Sequence, residues 1–269
     1  NPSELFPHLT QNIPLFIHTY QCTRLPHSLH LRGVSSQVNF AILTSMPSKN
    51  ALKEYIEGGY YHIYNRGVDK RTIFEDDQDY KTFLSYLKFY LTAPNLRGDS
   101  SQDKIPPSKQ LNNYHEQISL ISYCLMPNHF HIMVQQHTYD TINYFMRSLA
   151  TKYVRYFNTK HNRIGPLFQG TYKAAHITNE YQFTYLTKYI HRNPLSLPAY
   201  KESPRRELHT YQYSSYPNYL GQFSQSWITK DDILTYFSNT NPNLSYQNFV
   251  EDSEPDDITI IKDYTIDLI

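Results

Sequence analysis

The sequence predicts an α+β fold, an antiparallel sheet with helices packed on it. Three observations carry that reading. The hydrophobic periodicity runs strand, helix, strand, strand, helix, strand, helix. The third and second strands are separated by a Pro-Asn turn, a connection that only an antiparallel pair can use. A chain of 269 residues with a mean hydropathy of −0.61 and no run of about 18 apolar residues has room for a sizeable core and no membrane span.

Taken in order, YYHIYNRG (Tyr60 to Gly67) reads as a strand ending in a glycine turn. Asp76 to Leu91 carries Tyr80, Phe83, Leu84, Leu87 and Tyr90/Leu91 at helical spacing. Residues 93–115, with Pro94, Gly98, Pro106 and Pro107, form a polar insertion. QISLISYCLMPN (Gln117 to Asn128) is a buried strand closed by the Pro-Asn turn, and HFHIMVQQ (His129 to Gln136) is the returning strand. Asp140 stands where a cap is needed for a helix from Thr141 to about Lys160, whose Ile142, Phe145, Met146, Leu149, Tyr153 and Tyr156/Phe157 keep the 3.6 period. RIGPLFQGTYKAAHIT (Arg163 to Thr178) ends as a strand, and Asn179 or Glu180 opens a last core helix that Pro194 bounds.

Residues 1–45 keep neither period, and with Met46 just before the domain they read as either an upstream-translated segment or a loosely ordered extension, a small folded subdomain being the alternative. The domain itself is expected over 46–222. Residues 223–269 then add one amphipathic helix near Trp227 to Phe237 and an acidic, poorly ordered tail.

Composition narrows the function classes. Two cysteines, Cys22 and Cys124, exclude a disulfide framework and a Cys-rich zinc module, and no export signal is legible, so the expected compartment is the cytoplasm. The near-neutral total of 25 Lys+Arg against 24 Asp+Glu hides an asymmetry. Residues 141–210 hold eleven basic groups against three acidic, whereas 231–269 hold nine acidic groups against Lys262. A basic centre of this kind suits a polyanion, although ordinary solvated helix faces would look the same. Tyrosine is abundant, 26 against 14 phenylalanines, and phenols pack cores, stack on unpaired bases and act as nucleophiles.

Two constellations carry chemistry. On a strand, His129 and His131 share one face about 6–7 Å apart while Phe130, Ile132 and Val134 take the other. That geometry suits two ligands of a divalent metal, and equally two partly exposed strand histidines. On the last helix, Phe183, Leu186 and Ile190 form a buried stripe with Lys188 and Arg192 roughly opposite. Tyr185, Tyr189 and Asn193 lie between. A phenol there has its ring at the core edge and its hydroxyl beside cations, as a phosphate-attacking nucleophile would; packing tyrosines and a helix-capping asparagine are the alternative.

The ordered segments YYHIYNRG, MPNHFHIMV, GPLFQGTYKA and YLTKYIHRNP resemble the single-tyrosine HUH transposases of insertion sequences, in the branch of REP-associated tyrosine transposases, over about Met46 to Tyr219. The resemblance implies an RRM/ferredoxin-like sheet that binds single-stranded or hairpin DNA and a strand cleavage through a 5′-phosphotyrosine. It implies Tyr189 as nucleophile, four residues before Asn193, with Tyr185 as competitor, and a metal set of His129, His131 and Asn193. Two imidazoles and an amide leave an open site suited to Mg²⁺ or Mn²⁺. DNA-binding candidates are Arg66, Arg147, Lys152, Arg155, Lys173, Lys188 and Arg192, with Tyr60, Tyr61 and Tyr64 as stacking platforms. Monomer and homodimer stay open. The rivals are a catalytically silent nucleic-acid-binding protein of the same fold and an H-x-H hydrolase of small substrates, which would need more strand-end ligands than this order of elements supplies.

Overall fold

The structure, a computed structural model, describes residues 55–96, 112–201 and 207–252. The expectations for residues 1–45, for the middle of the polar insertion and for the acidic tail beyond Asp252 fall outside them.

Four strands form one antiparallel sheet: β1 (Tyr60–Arg66), β2 (Ile118–Met126), β3 (His129–Gln136) and β4 (Lys173–Ile177), in the order β2-β3-β1-β4. Helix α1 (Asp77–Leu91) links β1 to β2 and α2 (Thr141–Lys160) links β3 to β4. The order β-α-β-β-α-β with β1 and β3 central is the ferredoxin-like arrangement the resemblance implied. A third helix, α3 (Glu180–Arg192), follows β4.

Alternation along the strands sorts the two faces. Phe130, Ile132 and Val134 of β3 point at α1 and α2, where Phe83 meets Phe130 at 5.3 Å between ring centroids and Tyr153 donates its hydroxyl to the Ile73 carbonyl at 2.6 Å. The opposite face carries His129 and His131 and receives α3. The Pro127-Asn128 turn returns the chain in two residues, and its Pro127 carbonyl accepts from the amides of Ile73 and Phe74. Gly67 is required at the end of β1, because a Cβ there would lie 2.2 Å from the Arg71 carbonyl oxygen.

Helix starts are set by side chains. Asp76 caps α1 by accepting from the Asp79 amide, and Asn179 caps α3 by accepting from the Gln182 amide. Asp140 does not cap α2. It sits in the left-handed region at φ 61°, and the side chain of Gln136, still on β3, accepts the Ile142 amide instead at 3.0 Å. Part of the expected polar insertion is folded core: Tyr114 is buried, and Asn113 donates to the carbonyls of Phe89, Tyr90 and Thr92 at the end of α1.

After α3 the described residues form only short helices: α4 (Pro198–Lys201), α5 (Tyr216–Tyr219), α6 (Asp231–Leu234) and α7 (Tyr246–Glu251). The amphipathic helix expected near Trp227 to Phe237 shrinks to α6. Its apolar residues pack on β2 instead: Trp227 stacks on Tyr123, Ile228 bridges Leu120, and the Thr229 amide donates to the Leu120 carbonyl. Together with the Leu125 amide to Tyr213 carbonyl bond and the Ser215 amide to Tyr123 carbonyl bond, this covers an edge that would otherwise expose unpaired backbone. No helix among the described residues is long and apolar enough to cross a membrane.

Candidate active site

The site lies where α3 crosses the histidine face of the sheet. His129 and His131 stand with ring centroids 5.1 Å apart and planes nearly perpendicular, and the Tyr189 ring meets His131 edge-on at 5.4 Å. Asn193, just past the end of α3, reaches His129: its Oδ1 is 3.2 Å from the His129 Nε2. His131 is fully buried, while His129 and Asn193 are each 8% exposed at the mouth.

Hydrogen-bond direction at His129 shows what the pair of atoms is suited to hold. Asn128 donates its amide to the Lys70 carbonyl, so its oxygen faces the His129 Nδ1 at 2.7 Å and takes a proton there. Asn193 donates its amide to the Tyr189 carbonyl, so its oxygen faces the His129 Nε2. A neutral imidazole has one N–H, so a proton on Nδ1 leaves a lone pair on Nε2 facing a second acceptor. Two lone pairs 3.2 Å apart suit a cation between them, since adjacent ligands of an octahedral ion with bonds of ~2.1 Å stand roughly 3 Å apart.

His131 adds a third donor: its Nε2 is buried and has no hydrogen-bond partner among the described residues. Burial, with His62 and His129 beside it, holds its pKa well below the ordinary histidine value, so the ring stays neutral, as a ligand must. The donor set therefore fits a divalent cation. No group of three or more His, Cys, Asp or Glu side chains suited to a metal exists among the described residues, so a cation held by these two histidines needs a donor of another kind, such as the Asn193 amide.

The sheet aligns Cys124, His131, Tyr64 and Lys173 in one row across β2, β3, β1 and β4, and sets Arg66 opposite His129. Arg66 and Lys173 therefore share the histidine face. Arg66 is braced by donation from Nε to the Gln169 side chain at 2.6 Å, and burial together with the Arg66 charge lowers the Lys173 pKa.

Other expected DNA contacts fall elsewhere. Lys188 is buried, its ammonium 5.2 Å from the Phe249 ring centroid and 5.6 Å from that of Tyr185. Arg192 donates to the Val250 and Asp252 carbonyls. Both are turned to α7, whose position the sequence did not give. Arg147, Lys152 and Arg155 line a groove of about 1030 Å³ with Tyr86 and Tyr144 on the outer surface of α1 and α2, across the sheet from the histidines. Tyr61 and Tyr64 are 2% and 1% exposed and cannot stack on a base as they stand; Tyr60 packs on Phe183 and donates to Asp232. Tyr185 has its ring among Tyr181 and Phe249.

The residue that sequence reasoning passed over is His62. Its Nε2 lies 2.9 Å from the His131 Nδ1 and its ring stacks on His131. The signal was present, because alternation along YYHIYNR puts His62 with Tyr60, Tyr64 and Arg66 on one face.

Comparison with known proteins adds a family match. Residues 108–193 match the family model described as IS200-like transposase, a stretch that contains His129, His131, Tyr189 and Asn193. Over this stretch the chain is IS200-transposase-like. The IS200-like match supports a transposase function, a DNA-processing activity. Among solved structures, a REP-associated tyrosine transposase bound to a REP hairpin is 13% identical, with 72% of this chain and 94% of that chain covered at a TM-score of 0.42. A protein assigned as a transposase of Deinococcus radiodurans R1 is 14% identical, with 51% and 92% covered at 0.31. At such scores neither carries an argument, and the sheet order stands on this chain's own strand pairing. No curated protein matches the sequence.

Proposed function

We propose that the protein is a metal-dependent, single-strand DNA transposase that cleaves and rejoins DNA through a 5′-phosphotyrosine on Tyr189, acting on single-stranded or hairpin DNA in the cytoplasm. The observation that carries this reading is the convergence of His129 Nε2, Asn193 Oδ1 and the buried His131 ring beside one phenol, on a face that also holds Arg66 and Lys173.

The chemistry follows from these positions. Arg66 and Lys173 hold backbone phosphates beside the histidines. The Tyr189 hydroxyl attacks phosphorus, the bond from phosphorus to the 3′ oxygen breaks, and the phosphate stays on the tyrosine. The phenol gives up its proton and the departing 3′ oxygen takes one up. Attack of a 3′-hydroxyl on the phosphotyrosine reverses the step and rejoins the strand without ATP. A phenol with an ordinary pKa near 10 is a weak nucleophile at neutral pH. A divalent cation, Mg²⁺ or Mn²⁺, held by His129, His131 and Asn193, would polarise the phosphate and offset charge on the leaving oxygen. Imidazole ligands favour Mn²⁺.

The test is a covalent-adduct assay with a labelled single-stranded oligonucleotide on a denaturing gel. Wild type is expected to form an adduct with Mn²⁺ present and none in excess EDTA, and Tyr189→Phe none in either. An adduct with Tyr189→Phe, or full cleavage in EDTA, overturns the assignment.

A further inference from the structure

A histidine can ligate a metal through Nε2 only if that nitrogen carries no proton, and in a neutral ring the other nitrogen must then carry it. For His129, the Asn128 oxygen enforces this at Nδ1. For His131 the corresponding neighbour is His62, whose Nε2 lies 2.9 Å from the His131 Nδ1. Both rings are fully buried, so neither proton can be settled by water.

Two arrangements satisfy that bond. If His62 donates, the His131 proton sits on Nε2, a buried N–H with no acceptor among the described residues. If His131 donates, its Nε2 presents a lone pair on the side of the ring away from His62. Each arrangement keeps one ring proton on a buried nitrogen, His131 Nε2 in the first and His62 Nδ1 in the second, so burial of the donor does not choose between them. Only the second gives His131 an Nε2 lone pair, which a cation at this site requires.

We propose that His62 is a positioning residue for His131: its Nε2 accepts the His131 Nδ1 proton and so keeps the His131 Nε2 lone pair available to a divalent cation. The proposal rests on the metal reading above and adds a fourth histidine-face residue to it, outside the stretch that matches the IS200-like family model. The two rings stack at 5.0 Å between centroids and 16° between planes, so His62 fixes ring orientation as well as proton position. Partners of this kind change metal affinity by about 10–100-fold when removed.

Two substitutions in the full chain separate the hydrogen bond from the stack. His62→Phe keeps a flat ring and loses the acceptor; His62→Gln loses the ring and places an amide oxygen near the old Nε2. With Mn²⁺ as probe, followed by its electron paramagnetic resonance signal, His62→Phe is expected to bind about 10–100-fold more weakly than wild type and His62→Gln to recover most of the difference. Equal affinity in wild type and His62→Phe, or recovery by Phe but not Gln, overturns the proposal.

The second readout needs no variant of His62. Imidazole ¹⁵N shifts of the metal-free wild-type chain, assigned with His131→Ala, are expected to show His131 protonated on Nδ1; protonation on Nε2 overturns the proposal even if the His62 variants fail to fold. Absence of Mn²⁺ uptake by wild type would instead sink the metal reading, and the ¹⁵N spectrum judges His62 in either case.

Discussion

The two faces of β3 differ in kind although they alternate residue by residue. Phe130, Ile132 and Val134 enter a largely apolar layer with α1 and α2, held mainly by hydrocarbon and ring packing. His129, His131 and Asn193 on the other face are nearly as buried, yet the amides of Asn128 and Asn193 fix which atom faces His129, and the His131 Nε2 has no hydrogen-bond partner among the described residues. Burial alone therefore does not distinguish core from site; the direction of the hydrogen bonds does. Loss of a packed ring should cost the first face stability, whereas loss of a polar atom should cost the second its function.

The largest expected effect separates the faces by activity. Tyr189→Phe removes one hydroxyl from a half-buried ring and should lower adduct formation by on the order of 10³-fold or more. Stability should stay within about 0.5 kcal/mol by urea unfolding. Phe130→Ala should do the reverse, costing about 3–5 kcal/mol of stability while the remaining folded protein binds Mn²⁺ as wild type does. If Phe130→Ala instead weakened Mn²⁺ binding in the folded fraction, the two faces would be coupled and the contrast would fail.

An intermediate effect is expected at Asp79, the polar exception on the α1/α2 side. Its buried carboxylate accepts from Lys160 at 2.8 Å, the Glu75 amide at 2.9 Å, and Tyr156 and His161 at 3.0 Å. Burial by itself would raise its pKa, but these donors outweigh burial and hold it below the ordinary carboxylate value. The unfolded chain therefore takes up this proton first as pH falls. The stabilisation is complete above the unfolded value of about 3.9 and is lost as pH drops through it toward the folded one. Asp79→Asn should cost about 1.5–3 kcal/mol at neutral pH and flatten the acid limb of the stability profile. An unchanged acid limb would assign that slope to other carboxylates.

The smallest effect concerns DNA. Arg66→Gln, on the histidine face, should reduce the salt slope of single-strand binding by roughly 0.7 log units per log unit of salt, the loss of one phosphate contact. Arg155→Gln, across the sheet, should leave the slope unchanged in fluorescence anisotropy. Equal reductions would mean that DNA also tracks the outer surface of α2.

Much of the fold was legible because it rests on local periods. β3 and α2 lie where alternation and the 3.6 period put them, and Asp76 and Asn179 cap helices as their residue types favour. Asp140 failed because capping needs an extended backbone, and the turn after β3 forces a left-handed one there. The stretch Trp227 to Phe237 misled because its apolar residues answer to the β2 edge rather than to a helical neighbour.

The sequence by itself determined which residues share a face: His129 with His131, and Tyr189 with Asn193, since both pairs follow from the geometry of one strand or one helix. Only the tertiary structure decided what faces them. His62 meets His131 because of packing and register between β1 and β3. Lys188 and Arg192 are withdrawn because α7 covers their side of α3, and Arg66 is brought beside His129 by the same strand pairing. Periodicity is a property of neighbouring residues along the chain. Strand register and helix docking are settled by contacts between residues tens to more than a hundred positions apart, and no local pattern encodes them.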